Sequence, residues 1–415
     1  MKVYDVDALN SAIKQDRTLL NNKVIADTTL YKVVDPNHPE NSHGLVLEDV
    51  VIVNLMMSNV TLYNIRFKNV TFIDCSFVKT HIKDGTFENV KFIRGTMFAH
   101  DEPKAYEPPE TYFEDIKIDH VLFDGVKIGK NVNTHLYGGS IVMRNVVVDA
   151  GRSERKYDSA LLRGENLQVR IDNCTVTNET GLNIGGDKSS AYITNSTFNN
   201  SMIKIKGTSS WVENCTIIKS DTPSSKTVVI KNSNLINIGA YSLYDDGKVF
   251  LVENNYINGK QENIIDVSSY IYIYNSKIQT LGVGEDSANI YDTTIDKLIL
   301  DNIDKARRYA KTHAGTREPT GIKELNLSNV IIKQGDWEGT ELQQGKWNNV
   351  QLGPVNLRGA KIGAIDGYRV GHFGSDLKFR ESPQPLQIEK PPVPTLEELG
   401  LAQFWKENDF PPEQY

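Results

Sequence analysis

A five-residue period of large apolar side chains dominates the N-terminal part of this sequence. Between residues 47 and 97, every fifth position carries one of them: Leu47, Ile52, Met57, Leu62, Phe67, Phe72, Phe77, Ile82, Phe87, Phe92 and Met97. The residue two positions before each is mostly small or β-branched. Neither an α-helix nor a single alternating strand has this period. A short self-similar repeat indicates a solenoid, in which each coil buries its apolar face against its neighbours.

The same period returns at Phe113 and again from Ile322 to Ile362. The phase predicts that Trp337 and Trp347, which fall on it, lie in the core. Segments rich in charge or proline interrupt the period, and we expect them to loop out: 99–112, 149–159 and 301–321. The predicted organisation is an N-terminal cap over 1–44, a β-solenoid over 45–365, and a Pro-rich strap with a C-terminal helix over 366–415.

A recurring Asn-led signature marks the middle of the chain at intervals of roughly twenty residues. Its first residues are Asn173, Asn195, Asn214, Asn232, Asn254, Asn275 and Asp292. Asn tolerates the left-handed backbone conformation and bonds to neighbouring amides, so stacked Asn residues at one corner suit a parallel β-helix. Four five-residue sides also make a coil of about twenty residues. The sequence therefore predicts one all-β fold, a parallel β-helix, along its length.

Both ends of the solenoid need a cover, because an open end exposes unpaired strand edges. Near the N-terminus, Asp7 is placed to cap a short helix that buries Leu9, Ala12, Ile13 and Leu20. Near the C-terminus, Thr395 and Glu398 form a capping-box pattern that opens a helix to about Lys406. That helix carries Phe404 and Trp405, and it either docks on the solenoid or binds a partner.

Composition narrows the range of partners. The net charge is −7 and the pI is near 5.7, so bulk electrostatics favour neither nucleic acid nor an anionic membrane. The sequence contains no eighteen-residue apolar run and its start shows no apolar signal-peptide region. We therefore expect no membrane span, and either a cytoplasmic location or export without a Sec signal. The three cysteines fall on repeat positions and are predicted to be small buried residues: Cys75, Cys174 and Cys215.

At Phe67, Phe72 and Phe77, and again over 356–362, the sequence resembles pentapeptide-repeat proteins. Its middle part resembles right-handed parallel β-helices, and the whole looks like the β-helix segments of bacterial type III secretion effectors. The resemblance implies a right-handed solenoid that is pentapeptide-like at both ends. Some of those effectors carry a ubiquitin-ligase lobe with a nucleophilic cysteine. No cysteine here lies outside the repeats, so only the fold is carried over.

The best candidate for chemistry is the inserted loop 151–158, which mixes cations, a carboxylate and an aromatic ring: Arg152, Arg155, Lys156, Tyr157 and Asp158. A polysaccharide lyase needs a base such as Arg or Lys beside groups that neutralise a uronate. His135 and Tyr137 lie about one coil earlier and are placed to join this site. The alternative is a solvated surface loop.

Other candidate sites are weaker. The insertion with Asp101, Glu102, Glu107 and Glu110 has oxygen ligands for Ca²⁺ but lacks the spacing of a calcium loop, so we expect no resident cofactor. Arg307 and Arg308 suit a phosphate or acidic partner, or form a solvated helix face. His81, His100 and His120 have no Cys or carboxylate at metal-ligand spacing.

These observations leave two functions open. The first is a β-helical binding scaffold, a bacterial secreted effector or phage-related protein that acts in virulence through protein–protein contacts. The second is a carbohydrate-active enzyme, a polysaccharide lyase or hydrolase that binds an anionic glycan along the solenoid. The partner is accordingly a protein or a polysaccharide.

Overall fold

The computed structural model describes most of the chain: residues 2–3, 6–30, 44–98, 111–129, 132–149, 160–177, 181–220, 222–238, 247–257, 269–284, 286–300, 321–372, 374 and 376–402. The chain divides into two compact units. Unit 1 comprises Met1–Gly207 with Gln403–Tyr415, and unit 2 comprises Thr208–Ala402. In each unit, short strands pair in parallel with strands one coil away. The predicted all-β parallel β-helix is confirmed.

Unit 1 contains one described helix, α1 (Val6–Gln15), and nineteen strands among its described residues. The strands are β1 (Lys2–Val3), β2 (Val24–Leu30), β3 (Val46–Val53), β4 (Met56–Ile73), β5 (Ser76–Ile93), β6 (Thr96–Phe98), β7 (Thr111–Ile118), β8 (His120–Asp124), β9 (Lys127–Ile128), β10 (Val132–Tyr137), β11 (Ser140–Arg144), β12 (Val147–Asp149), β13 (Ala160–Glu165), β14 (Gln168–Asp172), β15 (Thr175–Thr177), β16 (Gly181–Gly185), β17 (Ser190–Thr194), β18 (Thr197–Asn199) and β19 (Met202–Ile205).

The five-residue period forms the core of the first coils. Register pairs Leu47 with Phe67 and Phe67 with Phe87, so one coil has 20 residues. All eleven residues of the period between 47 and 97 are buried, each at most 2% exposed. Rings stack along the coils, with centroids 5.4 Å apart for Phe67 and Phe87 and 5.1 Å for Phe72 and Phe92. The prediction of a stacked apolar core is confirmed.

The corners of these coils use the left-handed conformation. Between residues 49 and 94, every fifth residue has a positive φ of 48–54°: Asp49, Asn54, Asn59, Asn64, Asn69, Asp74, Lys79, Asp84, Asn89 and Arg94. Asn and Asp adopt this conformation more readily than other non-glycine residues. Their side chains also bond across coils, as from Asn69 Nδ2 to Asp49 Oδ1 at 2.8 Å. Five residues per side therefore follow from one left-handed residue per corner.

The N-terminal segment covers the edge of the first coil. Helix α1 buries Val6 and Ile13. From the same helix, the Asn10 amide accepts a hydrogen bond from Val46 N at 3.0 Å and donates one to Gly44 O at 3.2 Å. These bonds satisfy backbone groups that the edge strand β3 presents. Strand β2, also inside the predicted cap, pairs in parallel with β4.

Unit 2 contains eighteen strands among its described residues. They are β20 (Ser209–Glu213), β21 (Thr216–Ile218), β22 (Thr227–Lys231), β23 (Asn234–Ile236), β24 (Gly247–Val252), β25 (Asn255–Ile257), β26 (Ser269–Tyr274), β27 (Lys277–Val283), β28 (Asp286–Tyr291), β29 (Thr294–Leu300), β30 (Ile322–Ser328), β31 (Ile331–Asp336), β32 (Glu341–Asn348), β33 (Gln351–Leu352), β34 (Val355–Asn356), β35 (Lys361–Tyr368), β36 (Gly371–His372) and β37 (Arg380–Glu381).

The Asn-led signature marks left-handed corners, with one correction. Asn173, Asn195, Asn214, Asn232, Asn275 and Asp292 all have positive φ, as predicted. At the remaining coil the corner is Glu253, with φ 55°, and the prediction that Asn254 occupies it is wrong. Asn254 is buried instead, accepting a bond from Ser233 N and donating one to Ile230 O, both at 2.8 Å. A buried amide that serves neighbouring backbone groups thus looks like a corner residue in the sequence.

The three cysteines are free and buried, as predicted. Each thiol lies 3.2–3.3 Å from the carbonyl oxygen two residues earlier, that of Ile73, Asp172 or Glu213. Burial raises the pKa of Cys75 to about 11 and that of Cys174 to about 12. These two thiols therefore stay protonated at neutral pH and are poor nucleophiles.

The last coils of unit 2 repeat the five-residue design. Trp337 and Trp347 are both 0% exposed, which confirms their predicted place in the core. Leu357 and Ile362, on the same period, are only half-buried because, in the part of the chain that the structure describes, no further apolar coil stacks on them. Strand β35 continues the ladder across the predicted boundary between 365 and 366.

Candidate functional site

Most of the sequence-predicted site residues lie outside the described residues: Arg152, Arg155, Lys156, Tyr157, Asp158, Arg307, Arg308, Phe404 and Trp405. The predicted calcium ligands in 101–110 also lie outside them. His135 and Tyr137 are described, and both belong to β10 in unit 1. We call the outward side chains around these two residues the His135 face. Its members are Lys83 and Asp84 of β5, Tyr112, Glu114, Asp115 and Lys117 of β7, His135 and Tyr137 of β10, and Glu165 of β13.

The two predicted insertions of unit 1 join the solenoid at one corner. Strand β7 begins at Thr111, directly after 99–110, and β13 begins at Ala160, directly after 150–159. Strand β10 pairs in parallel with both. The first described residues after the insertions are therefore two strand spacings apart, about 10 Å. This corner adjoins the His135 face.

A bulge between β7 and β10 sets the position of His135. Thr134 pairs with Phe113 and Leu136 pairs with Ile116, so His135 alone opposes two residues, Glu114 and Asp115. Bulges often redirect side chains near functional sites. Here, His135 Nδ1 lies 2.8 Å from Asp115 Oδ1. Because Asp115 is itself a left-handed corner residue, the histidine bonds the corner carboxylate of the preceding coil.

Several charged side chains lie around the corner at Asp115. Lys83 Nζ lies 3.1 Å from Glu114 Oε2, and this bond raises the pKa of Lys83. Burial raises the pKa of Asp84. Lys83 opposes this rise, and the carboxylates of Asp115 and Glu114 add to it. Burial is also the main cause of the raised pKa of Tyr112, and the carboxylates of Glu114 and Asp115 add to it. The face thus offers carboxylates that accept hydrogen bonds and an imidazole that donates or accepts.

Tyr137 is the exposed aromatic residue of this face. It is 40% exposed, and its ladder neighbours are Lys117 and Glu165. An amphipathic ring held on a strand beside charged residues is typical of an interface anchor. His135 and Tyr137 share strand β10, and their predicted place in a site with loop 151–158 stays a prediction because that loop lies outside the described residues.

A second histidine contact, made by His120, was not predicted from the sequence. His120 Nδ1 lies 2.5 Å from Ser140 Oγ in the next coil. Burial lowers the pKa of His120, Lys91 adds to the decrease and Asp119 opposes it. Both histidine contacts join residues 20 positions apart. A search for polar partners at the predicted coil length would have found them.

Neither face shows the ligand set of a metal site. No group of three or more His, Cys, Asp or Glu side chains converges on a point among the described residues. In the same part of the chain, no helix is both long and apolar enough to cross a membrane.

Unit 2 carries a different kind of surface, covered by the chain itself. Residues 376–402, called the C-terminal strap, lie along outward side chains of several coils. Tyr274 Oη donates to Pro391 O at 2.7 Å, and Tyr291 Oη donates to Glu389 O. The capping box also forms, since Thr395 N donates to Glu398 Oε2 at 2.8 Å and Glu398 N to Thr395 Oγ1 at 3.2 Å. These contacts fall within the segment 366–415 that was predicted as a strap and helix. Residues 396–400 form turns where the first helical turn was predicted, 401–402 are helical, and 403–415 lie outside the described residues.

Comparison with known proteins adds little. No family model matches the chain, and no curated protein matches it. Among solved structures, the chain is similar to endo-xylogalacturonan hydrolase from Aspergillus tubingensis, with 10% identity and a TM-score of 0.16 over 92% of this chain and 94% of that one. A likeness at this level carries no argument about function.

We expect Asp84→Asn to stabilise unit 1 at neutral pH. The raised pKa of Asp84 means that folding penalises its charged form. That penalty is fully present above the folded-state pKa and disappears as the pH falls towards the unfolded value of 3.8. The gain, up to about 1 kcal/mol for this half-buried group, should therefore shrink between pH 7 and pH 4. Urea unfolding at the two pH values measures it.

The matched control for Asp84→Asn is Asp74→Asn. Asp74 is also a left-handed corner residue, but it pairs with Arg94 at 2.9 Å. Removing its charge should give no gain at neutral pH. Equal stabilisation of both variants would show that asparagine simply suits the corner, and would contradict the role assigned to burial and to the neighbouring carboxylates.

Proposed function

We propose that this protein is a β-helical binding scaffold that acts through protein–protein contacts, and that the His135 face is its contact surface. The observation that carries the proposal is the exposed Tyr137 on strand β10, which also carries His135. The nearby contacts of His135 with Asp115 and of Lys83 with Glu114 hold those charged groups before binding, so less side-chain ordering is left for the partner to induce. Aromatic residues within a polar rim are the usual anchors of such interfaces.

The proposal extends to the class of protein. Its repeat pattern supports membership of the pentapeptide-like solenoids, and a role as a bacterial secreted effector or phage-related protein follows from that resemblance. We accordingly place it in the cytoplasm or among proteins exported without a Sec signal, and assign it no cofactor.

A second candidate function is hydrolysis or elimination on an anionic polysaccharide. The observation that favours it is the corner shared by Asp84, Asp115 and His135, since carboxylates and imidazole are the groups that move protons in such reactions. A raised pKa at Asp84 suits a proton donor. This reading predicts new reducing ends or unsaturated uronate absorbance on incubation with polygalacturonate.

Site-specific photocrosslinking distinguishes the two functions. A benzoylphenylalanine at position 137 of the full chain should capture a discrete protein from host extract, and the same probe at Tyr270 serves as the control. Tyr270 is another strand tyrosine, 45% exposed, in unit 2. With the captured protein purified, Tyr137→Ala should weaken binding about tenfold or more, whereas Tyr270→Ala should leave it unchanged.

Two results would contradict the scaffold. One is the same capture pattern from positions 137 and 270. The other is cleavage of the polysaccharide by the wild type that Asp84→Asn or His135→Ala abolishes, which would favour the enzyme instead.

A further inference from the structure

The surface beneath the C-terminal strap is a single line of side chains. Strand register places five residues of successive coils in line: Val252, Tyr274, Tyr291, Ser328 and Asn348. We call them the tyrosine line. The rings of Tyr274 and Tyr291 stack with centroids 5.0 Å apart and planes 11° from parallel. Each step along the line is one strand spacing, about 4.8 Å.

The strap contacts this line through its main chain. Asn348 Nδ2 donates to Leu386 O at 2.8 Å, and Leu386 N donates to Asn348 Oδ1 at 2.9 Å. The hydroxyls of Tyr291 and Tyr274 donate to the carbonyl oxygens of Glu389 and Pro391. Of these bonds, only the one from Leu386 needs a peptide N–H. A peptide with prolines at its other positions, where no N–H is needed, therefore still satisfies these donors.

The spacing of the line matches a polyproline II helix. From Asn348 to Tyr291 is two strand spacings, about 9.6 Å, and the strap covers this distance with the three residues from Leu386 to Glu389. Three residues of polyproline II rise about 9.3 Å. The coil spacing of unit 2 therefore presents donors at the period of an extended proline-rich peptide.

One side chain of the strap adds specificity. Lys390 Nζ lies 2.8 Å from Asp292 Oδ2, and 5.7 and 5.4 Å from the ring centroids of Tyr274 and Tyr291. Burial acts to raise the pKa of Asp292, but hydrogen bonds from Lys390 and Asn329 outweigh it and lower the pKa overall. Burial raises the pKa of Tyr291 to about 12, and Tyr272 with the carboxylates of Glu389 and Glu324 adds to the rise, so its hydroxyl stays a donor. A cation followed by proline fits this position.

The strap is held firmly at its ends and lightly between them. Leu377 and Leu401 are buried, at 5% and 2% exposed. None of the residues from Arg380 to Gly400 is buried. The middle of the strap thus rests on polar bonds and the two cation–π contacts of Lys390, the kind of segment that opens locally at low free energy.

We propose that the tyrosine line is a receptor for a lysine-bearing, proline-rich peptide of a partner protein, and that the C-terminal strap occupies it in cis. A partner peptide binds only after the middle of the strap lifts. The apparent affinity is therefore the intrinsic affinity multiplied by the fraction of molecules in which the strap is open. The recognition is of the polyproline type, in which aromatic side chains receive a preformed extended helix. This surface belongs to unit 2 and is independent of the His135 face.

The test measures binding of a fluorescent synthetic peptide, residues 383–395, to the full-length protein by anisotropy. Lys390→Glu within the protein places a carboxylate against Asp292, weakens the strap and leaves the tyrosine line intact. This variant should bind the wild-type peptide at least about tenfold more tightly than the wild-type protein does. The matched control is Lys378→Glu, the same charge change at an exposed strap residue, which should bind like the wild type.

Two further variants define the site. Adding Tyr274→Phe and Tyr291→Phe to Lys390→Glu keeps the rings but removes both hydroxyl donors, and should weaken peptide binding about tenfold or more. A peptide carrying Lys390→Glu should not bind any of the proteins. A full-length protein with residues 385–394 replaced by a Gly-Ser segment opens the line without any added charge, and should bind the wild-type peptide.

Failure of the peptide to bind both the Lys390→Glu and the Gly-Ser proteins would overturn the proposal. So would binding that the two phenylalanine substitutions leave unchanged. A concentration-dependent dimer of the wild type that Lys390→Glu abolishes would identify the strap of a second copy as the occupant instead. None of these results bears on partner capture at position 137, so the two proposals fail separately.

Discussion

Replacing Gly353 by alanine should destabilise unit 2 by more than about 3 kcal/mol. Gly353 follows strand β33, and its amide donates to Ile332 O at 2.8 Å. A Cβ at this position would lie 1.9 Å from Lys333 O in the preceding coil and 2.7 Å from Lys333 C. Both are backbone atoms, so no side chain can rotate away. The coils would have to separate, and Pro354 restricts how far the chain can adjust.

The control for this prediction is Gly371→Ala, at the start of β36. A Cβ there meets nothing within 4 Å, so the change should stay within about 0.5 kcal/mol of the wild type. The free energy of unfolding from urea titration, followed by tryptophan fluorescence, measures both. Equal effects of the two substitutions would show that the close approach at Lys333 relaxes easily.

The periodic part of the fold was predictable because the same physical constraint repeats in every coil. Two inward residues per five-residue side, one of them large and apolar, fill the core, and one left-handed residue turns each corner. The positions of Phe67, Phe72 and Phe77 follow from that pattern without any tertiary information. The prediction failed at Asn254, where the residue type that favours corners was used in the interior. Local sequence cannot tell a corner amide from a buried amide that serves the next coil.

The candidate site was predictable in residue type and only partly in contacts. His135 and Tyr137 were singled out because they lie one coil before the charged insertion. The contact of His135 with Asp115 joins residues 20 positions apart, which is the predicted coil length, but nothing in the five-residue pattern indicates the bulge that places two residues opposite His135. The strap was likewise predicted from its prolines. Its partners, Tyr274 and Tyr291, were not, because they lie 117 and 98 residues away in the sequence from the carbonyls they bind.

The buried tryptophans offer a paired test of the core. Trp347→Ala should cost about 3–5 kcal/mol, because it empties a fully buried site at which the ring contacts Trp337 and Phe379 with centroids 6.0 and 5.2 Å away. Phenylalanine substitutions separate packing from hydrogen bonding. Trp347 Nε1 donates to Leu325 O at 3.0 Å, whereas Trp337 Nε1 is buried with no acceptor among the described residues.

Trp347→Phe should therefore cost about 1–2 kcal/mol more than Trp337→Phe, although both remove the same atoms from a site that is 0% exposed. Trp347→Phe leaves the carbonyl of Leu325 without its donor. Trp337→Phe removes a buried N–H that makes no hydrogen bond among the described residues. Urea unfolding of the two variants, read by far-ultraviolet circular dichroism so that the lost indole does not alter the signal, gives the difference. A larger loss at Trp337 would mean that ring packing outweighs the hydrogen bond in this core.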